Sequence, residues 1–261
     1  SVYSGARTAS TYRYGIGPML DGLFTQSNLG IITEMTFELM PRPEAVSMFV
    51  LSSKNEDSLS AIVEAVREMR LSGVVRSAVH IANRSRAVGE KDNKLVGAWN
   101  LSGAITGPSA VVRAKKRYVK KVFRQHVSRY SLWFFGKRLL KIVRWIHEHI
   151  FRLEVYNALR DIYDLQTGVP TDEPLRTLLN DDRLNSSELK TGDYSTCFSW
   201  INATIPANGE DAETAIQLLE KLFKENDYEF RVTLTAETPR TLVLISNVTY
   251  PRTTAEIIRA Q

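Results

Sequence analysis

Hydrophobic and polar positions along this chain switch between a period of two and a period near three and a half, and the switches mark its elements. After Ile31 and Ile32, the run Thr33-Glu34-Met35-Thr36-Phe37-Glu38-Leu39 alternates as a half-buried strand does. Pro41 and Pro43 end it, because proline cannot donate to a ladder. Residues 47–52 read as a second short strand. Asp57-Ser58 offers an N-cap to a helix running to about Leu71, with Leu59, Ile62, Val63, Val66 and Met69 on one face and Gly73 closing it. Strands are predicted over 74–82 and 94–105. Gly107-Pro108 introduces a helix over 109–127, and 136–163 is again helical. A short helix near 174–179, a strand over 194–204, a helix over 209–225 and strands over 231–236 and 241–248 complete the pattern. The mixed order predicts an α+β fold, an antiparallel sheet covered by helices. No internal repeat of 20–50 residues is visible.

The bulk composition narrows the class. The chain has 261 residues, 43% hydrophobic and 24% charged, an ordinary globular balance with enough apolar material for a core. Its single cysteine, Cys197, excludes an intramolecular disulfide and a cysteine-based metal site, which fits a reducing compartment. The first residues do not read as a signal peptide, and no apolar run is long enough to cross a bilayer. The expected location is therefore cytoplasmic or membrane-peripheral. A start without methionine, in a glycine-punctuated motif, reads as the edge of a fragment.

The net charge of +5 conceals an asymmetry. Residues 113–144 hold 12 Lys/Arg and no Asp/Glu, leaving 22 basic against 29 acidic residues elsewhere, a net of −7. Within this segment Lys115, Lys116, Lys120, Lys121 and Arg124 alternate with Tyr118, Val119, Val122 and Phe123, giving a helix with one apolar and one cationic face. Trp133, Phe134, Phe135 and Trp145 follow among further cations. A core-packing helix pair with a solvated basic face accounts for this. The alternative is a non-enzymatic binding module in which 113–145 docks on an anionic membrane or an acidic partner. No nucleic-acid motif accompanies the charge, so no nucleic acid is expected.

Other chemistry is sparse. The four histidines, His80, His126, His147 and His149, form no metal constellation. His147 and His149 would not share a helical face. His126 and His149 sit among cations and read as solvated or snorkelling rather than as ligands, and His80, in a strand, reads as a satisfied core histidine, with a cavity-lining one the alternative. Ser27-Asn28-Leu29-Gly30-Ile31-Ile32 is a turn delivering backbone into a strand, with Gly30 permitting close approach.

The longer strings are more specific. Gly17-Pro-Met-Leu-Asp-Gly-Leu-Phe24, Gln26-Ser-Asn-Leu-Gly-Ile-Ile-Thr33 and Leu39-Met-Pro-Arg-Pro-Glu44 closely resemble the vanillyl-alcohol oxidase and 4-cresol dehydrogenase family. The likeness continues through His80-Ile81, Ala87-Val88-Gly89, Trp99-Asn100, Gly103-Ala104, Gly107-Pro108, Gln166-Thr-Gly-Val-Pro-Thr171 and Gly209-Glu-Asp-Ala212. It is weakest over about 113–165. The family's members are FAD-linked oxidases whose FAD-binding domain is interrupted by a substrate-covering cap domain. The resemblance implies that residues 1–45 are the end of an α+β FAD-binding domain and 46–261 the cap. It implies a fragment of an FAD-dependent oxidoreductase, an oxidase or dehydrogenase. Hydride would pass from a phenolic or other alcohol-type substrate to flavin, with electrons going on to oxygen or an acidic redox protein. A homodimer is compatible with it.

In the family the matching segment runs beside the ADP half of FAD through its backbone, so Ser27, Asn28, Gly30, Ile31, Ile32 and Thr33 are the implied cofactor-binding positions. Some members tether flavin covalently through a cap histidine or tyrosine, for which Tyr194 is the nearest group here. The family's upstream phosphate loops and its catalytic tyrosine/arginine set have no counterpart in this sequence. No catalytic or metal residue is therefore assigned, and the fragment alone is expected to be inactive and to lack FAD.

Overall fold

The computed structural model describes residues 20–88, 96–150, 154–169, 196–251 and 253. The chain divides into two units, residues 1–42 and 43–261. Among its described residues the first carries one turn of 3₁₀ helix, over Asp21–Phe24, and residues 31–42 carry no regular element. The predicted strand over 33–39 is therefore corrected. Alternation marks a segment able to form a strand, but a strand exists only where a neighbour takes its hydrogen bonds, and no described residue does so here.

In the second unit the alternating segments become one antiparallel sheet. Its strands are β1 (Ala45–Ser53), β2 (Val79–Asn83), β3 (Trp99–Gly107), β4 (Tyr130–Phe135), β5 (Thr196–Pro206), β6 (Val232–Ala236) and β7 (Thr241–Pro251). They lie in the order β4-β1-β3-β2-β6-β7-β5. Six helices accompany them among the described residues: α1 (Leu59–Leu71), α2 (Arg84–Val88), α3 (Ser109–His126), α4 (Lys137–His149), α5 (Glu154–Gln166) and α6 (Gly209–Glu225). The α+β reading, an antiparallel sheet covered by helices, holds.

Successive strand residues point to opposite faces, and the first face is the apolar one. Phe49, Leu51, Ile81, Leu101, Ile105, Leu234, Leu242 and Leu244 are all buried in one cluster. Above them lie Ile62, Val63, Val66 and Met69 of α1, Val119, Val122 and Phe123 of α3, and Ala212 and Ile216 of α6. Each such side chain, fully buried, contributes about 1.5–3 kcal/mol. On the opposite face a smaller cluster of Met48, Ala104 and Phe135 takes Leu140 from α4 and Leu159, Ile162 and Tyr163 from α5.

Polar ties hold the helices in place. The Arg70 guanidinium, at the end of α1, donates to the carbonyls of Arg76 and Ser77 at 2.6 Å and to that of Glu237. The Glu68 carboxylate accepts from Tyr118 Oη at 3.0 Å and pairs with His126 Nε2 at 2.9 Å, clamping α1 to α3. The His126 bond is the main reason that the Glu68 carboxyl lies below the usual range. His126 is exposed, as its cationic surroundings in sequence suggested, and its surface partner comes from 58 residues away.

Several boundaries move. Ser58 stands at the N-cap of α1, as expected, but its side chain makes no capping bond; Asn55 caps the preceding 3₁₀ turn over Glu56–Ser58, its Oδ1 accepting from Asp57 N. Strand β4 and helix α2 were not anticipated, because Tyr130–Phe135 reads as aromatic rather than alternating and α2 is one short turn. The single helical stretch over 136–163 is two helices. The helix expected near 174–179 lies outside the described residues.

Gly209 opens α6 against α1. Its N–H donates to Glu64 Oε1 at 2.9 Å, and a Cβ there would fall 2.0 Å from Ser60 Oγ and 2.8 Å from Ser60 Cα. Replacement by alanine should force the two helices apart and cost about 1–3 kcal/mol. Denaturant unfolding of Gly209→Ala is expected to show that loss. Gly22→Ala, which would meet nothing within 4 Å, should leave the midpoint unchanged.

Candidate functional site

The second face of the sheet differs in chemistry from the first. The strand registers align one residue from each of seven strands in a row: Trp133, Val50, Ser102, His80, Thr235, Val243 and Thr204. The next row reads Ser131, Ser52, Asn100, Ala82, Thr233, Ile245 and Asn202. Both rows are mainly hydroxyls, amides and small apolar groups. No carboxylate and no lysine or arginine stands in either of them.

His80 is at the centre of this face. Period two places it opposite the core side of β2, so it is half-buried among polar neighbours and is not the core histidine expected from sequence. Its Nδ1 lies 3.1 Å from Oγ1 of Thr235, which is itself 2% exposed. Burial is the main cause lowering the His80 pKa, opposed by the charge of Glu237, so the ring is neutral at pH 7. Among the described residues its Nε2 has no hydrogen-bond partner, and it is not one of the fully buried atoms left without one. A neutral imidazole with one nitrogen anchored and the other available can donate to or accept from a ligand oxygen. Near it, Gln166 Nε2 of α5 reaches the carbonyl of Ala78 at 3.5 Å.

The residues singled out from sequence lie elsewhere. Ser27, Asn28, Gly30, Ile31, Ile32 and Thr33 are in the first unit, on exposed chain following the 3₁₀ turn. Ser27 Oγ donates to the Leu23 carbonyl at 2.5 Å, and a Cβ on Gly30 would come within 3.3 Å of the Phe24 ring. Tyr194 lies outside the described residues. In the basic segment, Lys116 and Lys120 sit over the Phe134 ring and Phe135 is buried, while Trp133 and Trp145 are exposed. Among the described residues no group of three or more His, Cys, Asp or Glu could hold a metal, and no helix is long and apolar enough to cross a membrane.

A cleft of about 910 Å³ opens at the edge of the core, lined in part by Trp99, Asn83, Arg84, Glu213, Gln217 and Phe230. Trp99 Nε1 there is taken by the Glu56 carbonyl at 2.9 Å. Acids and bases share its walls, with no arrangement for proton transfer or nucleophilic attack.

The depressed His80 pKa has a signed consequence. Near and below its ordinary value of 6.5 the unfolded chain binds a proton that the folded chain resists. The stability present above that value should therefore fall as pH drops through about 6.5 toward the folded pKa. Urea melts between pH 8 and 5 are expected to show this loss, reduced in His80→Gln, and the imidazole carbon shifts should stay those of a neutral ring below pH 6.5.

No protein-family model matches the chain. It is 27% identical over 281 residues to 1'-carboxy-chondrochloren decarboxylase of Chondromyces crocatus, covering 96% of this chain and 51% of that protein. It is 32% identical over 145 residues to the 4-cresol dehydrogenase [hydroxylating] flavoprotein subunit of Pseudomonas putida, covering 46% of this chain and 28% of that subunit. Among solved structures, p-cresol methylhydroxylase with substrate bound superposes with a TM-score of 0.75 at 21% identity, over 99% of this chain and 49% of that one. The isoeugenol complex of 4-ethylphenol oxidase from Gulosibacter chungangensis gives 0.73 at 20% identity, over 95% and 47%. The chain thus spans about half the length of the decarboxylase and of both solved structures. In sequence the chain is similar to the decarboxylase and the 4-cresol dehydrogenase subunit, and in fold it is similar to p-cresol methylhydroxylase and 4-ethylphenol oxidase, as the resemblance to the vanillyl-alcohol oxidase and 4-cresol dehydrogenase family implies.

Proposed function

We propose that this chain is part of an FAD-dependent oxidoreductase acting on a phenolic or other alcohol-type small molecule. Residues 1–45 would be the end of its cofactor-binding domain and 46–261 its cap. The observation that carries this reading is the match in fold to p-cresol methylhydroxylase along 99% of the chain. The sequence likeness to the decarboxylase along 96% supports it.

The residues present fit the cofactor in one respect. From Gly30 to Thr33 the backbone has no ladder partner among the described residues, so its amides are available to a nucleotide. The Ser27 hydroxyl hydrogen is already given to Leu23, which leaves backbone as the main means of contact. Ser27, Asn28, Gly30, Ile31, Ile32 and Thr33 would line the ADP half of FAD. When bound, FAD supplies the two-electron acceptor.

The cap's own residues would act by shape and polarity. The polar rows of the second face would orient the substrate by hydrogen bonds, and the helices over the first face would keep the roof rigid and bulk water out. Electrons would pass to oxygen or to an acceptor protein. The test is the complete gene product. It should be yellow, with flavin absorbance that bleaches when a 4-alkylphenol is added without oxygen. A colourless, flavin-free protein would overturn the reading, and product analysis tells dehydrogenation from loss of a carboxyl group.

A second reading, docking on an anionic surface, is favoured by one observation. Helix α4 leaves Leu139, Ile142 and Trp145 exposed beside Arg138, Lys141 and Arg144, and no residue of α4 is fully buried. Apolar and cationic groups exposed together suit an interfacial helix. Vesicles of phosphatidylserine and phosphatidylcholine should then shift the tryptophan emission of the complete protein to the blue in a salt-sensitive way. Pure phosphatidylcholine should not. Equal indifference to both would remove this reading.

A further inference from the structure

The cations of α3 gather where the sheet is open at its edge. Arg113, Lys116, Arg117, Lys120, Lys121 and Arg124 fall within about 140° of the helix circumference and extend about 16 Å along it. Lys116 is half-buried and the others are exposed. The helix contains no acid, and among the described residues none of these cations takes part in an ion pair. The acids whose charge reaches them are already engaged. Glu44 accepts from Ser109 Oγ at 2.7 Å, and Glu68 is held by Tyr118 and His126.

Strand β4 lies under two of these cations. It ends the sheet, with β1 on one side and no described strand on the other. Lys116 Nζ stands 5.6 Å and Lys120 Nζ 5.4 Å from the centroid of the Phe134 ring, so two ammonium groups converge on one residue of the edge. Burial, and then the like charge of Lys120, make the Lys116 ammonium harder to keep. Period two turns Trp133 to the other face of the sheet, where it is 69% exposed. Alternate residues of an antiparallel edge strand direct their N–H and C=O groups away from its partner.

Charge, backbone and shape together select an occupant. An added strand would take the outward N–H and C=O groups of β4. Its residue opposite Phe134 would have its Cβ about 5 Å from that of Phe134, beside both ammoniums, which suits a carboxylate. The residues on either side of it would turn toward the face of Trp133, which suits apolar groups. The cationic stripe is as long as about five strand residues. A second copy of β4 would set lysine against lysine and be repelled. A lipid surface or a nucleic acid would meet the cations without using the hydrogen-bonding groups of the edge.

We propose that the outer edge of β4, overhung by Lys116 and Lys120, is a docking site for an extended segment of a partner protein in which acidic and apolar residues alternate, added to the sheet as an eighth strand. This goes beyond the oxidoreductase reading and does not rest on it. It is also distinct from the exposed face of α4, which lies on another helix.

Fluorescence anisotropy on the complete protein tests it, with a short labelled peptide that alternates glutamate with valine and threonine. One control peptide has the same composition with its glutamates consecutive. A second is N-methylated along its backbone, which keeps the side chains but removes the N–H donors. The alternating peptide should bind, and each control should bind roughly 10-fold more weakly. The double variant Lys116→Gln, Lys120→Gln should weaken the alternating peptide by roughly 5- to 30-fold. Lys141→Gln, on α4, should leave it unchanged. If the double variant fails to fold by circular dichroism, Lys120→Gln alone, at an exposed position, should show a smaller loss of the same kind. No binding, equal binding of the peptide and either control, or binding that survives the lysine substitutions would overturn the proposal. Phosphatidylserine–phosphatidylcholine vesicles or single-stranded DNA held more tightly than the peptide, in a way that depends on Lys116 and Lys120, would overturn it in favour of a lipid or nucleic-acid partner.

Discussion

The arrangement of the larger unit follows from the closure of one sheet face under three helices. A seven-stranded sheet with Phe49, Leu51, Ile81, Leu101, Leu234 and Leu244 on one side must hide that side from water. Helices α1, α3 and α6 do so with residues at helical spacing. The closeness of the layers is enforced at single positions. Gly103 lies directly across from Phe49, and a Cβ there would meet the Phe49 ring at 2.6 Å. Gly209 has no room for one against Ser60. Arg70 joins the end of α1 to the entry of β2 and the exit of β6 through three carbonyls that the turns would otherwise leave unmet.

Once one face is committed to the core, period two commits the other to different work. A shift in register by one residue would exchange the two faces, so the apolar packing of the first fixes which hydroxyls and amides line the second. That is how His80, Ser102 and Thr235, contributed by three strands, come to stand in one row. The same rule brings Asn247 and Trp200 together at the end of the face. The polar surface is thus held rigid by a core to which it contributes nothing, a suitable basis for positioning a ligand.

Much of this was legible in the sequence because it is local. The helix over 109–127 and that over 209–225 stand within a residue of α3 and α6, since their apolar periodicity and their starts at Gly107-Pro108 and Gly209-Glu210-Asp211 are contiguous signals. The alternation at 47–52 and 231–236 likewise marks β1 and β6. Strand β4 escaped because an edge strand with few buried positions carries a weak pattern. The alternation at 33–39 misled because half-burial needs a partner that no described residue supplies. His126 is exposed as its cationic neighbours in sequence suggested, but its partner Glu68, on another helix, was not legible there.

The sequence by itself determined the fold class, most elements, the confinement of positive charge to one segment and the family likeness. These depend on composition, periodicity and short motifs, all of which are written within one stretch of chain. Only the tertiary structure decided which face His80 occupies, that Thr235 anchors it, and that Asn83 ties the end of β2 to Phe230 and Val232 at the start of β6. Those relations join residues some 145 to 160 positions apart. Strand pairing sets them, and pairing is chosen by the burial of the whole sheet rather than by any local run of residues.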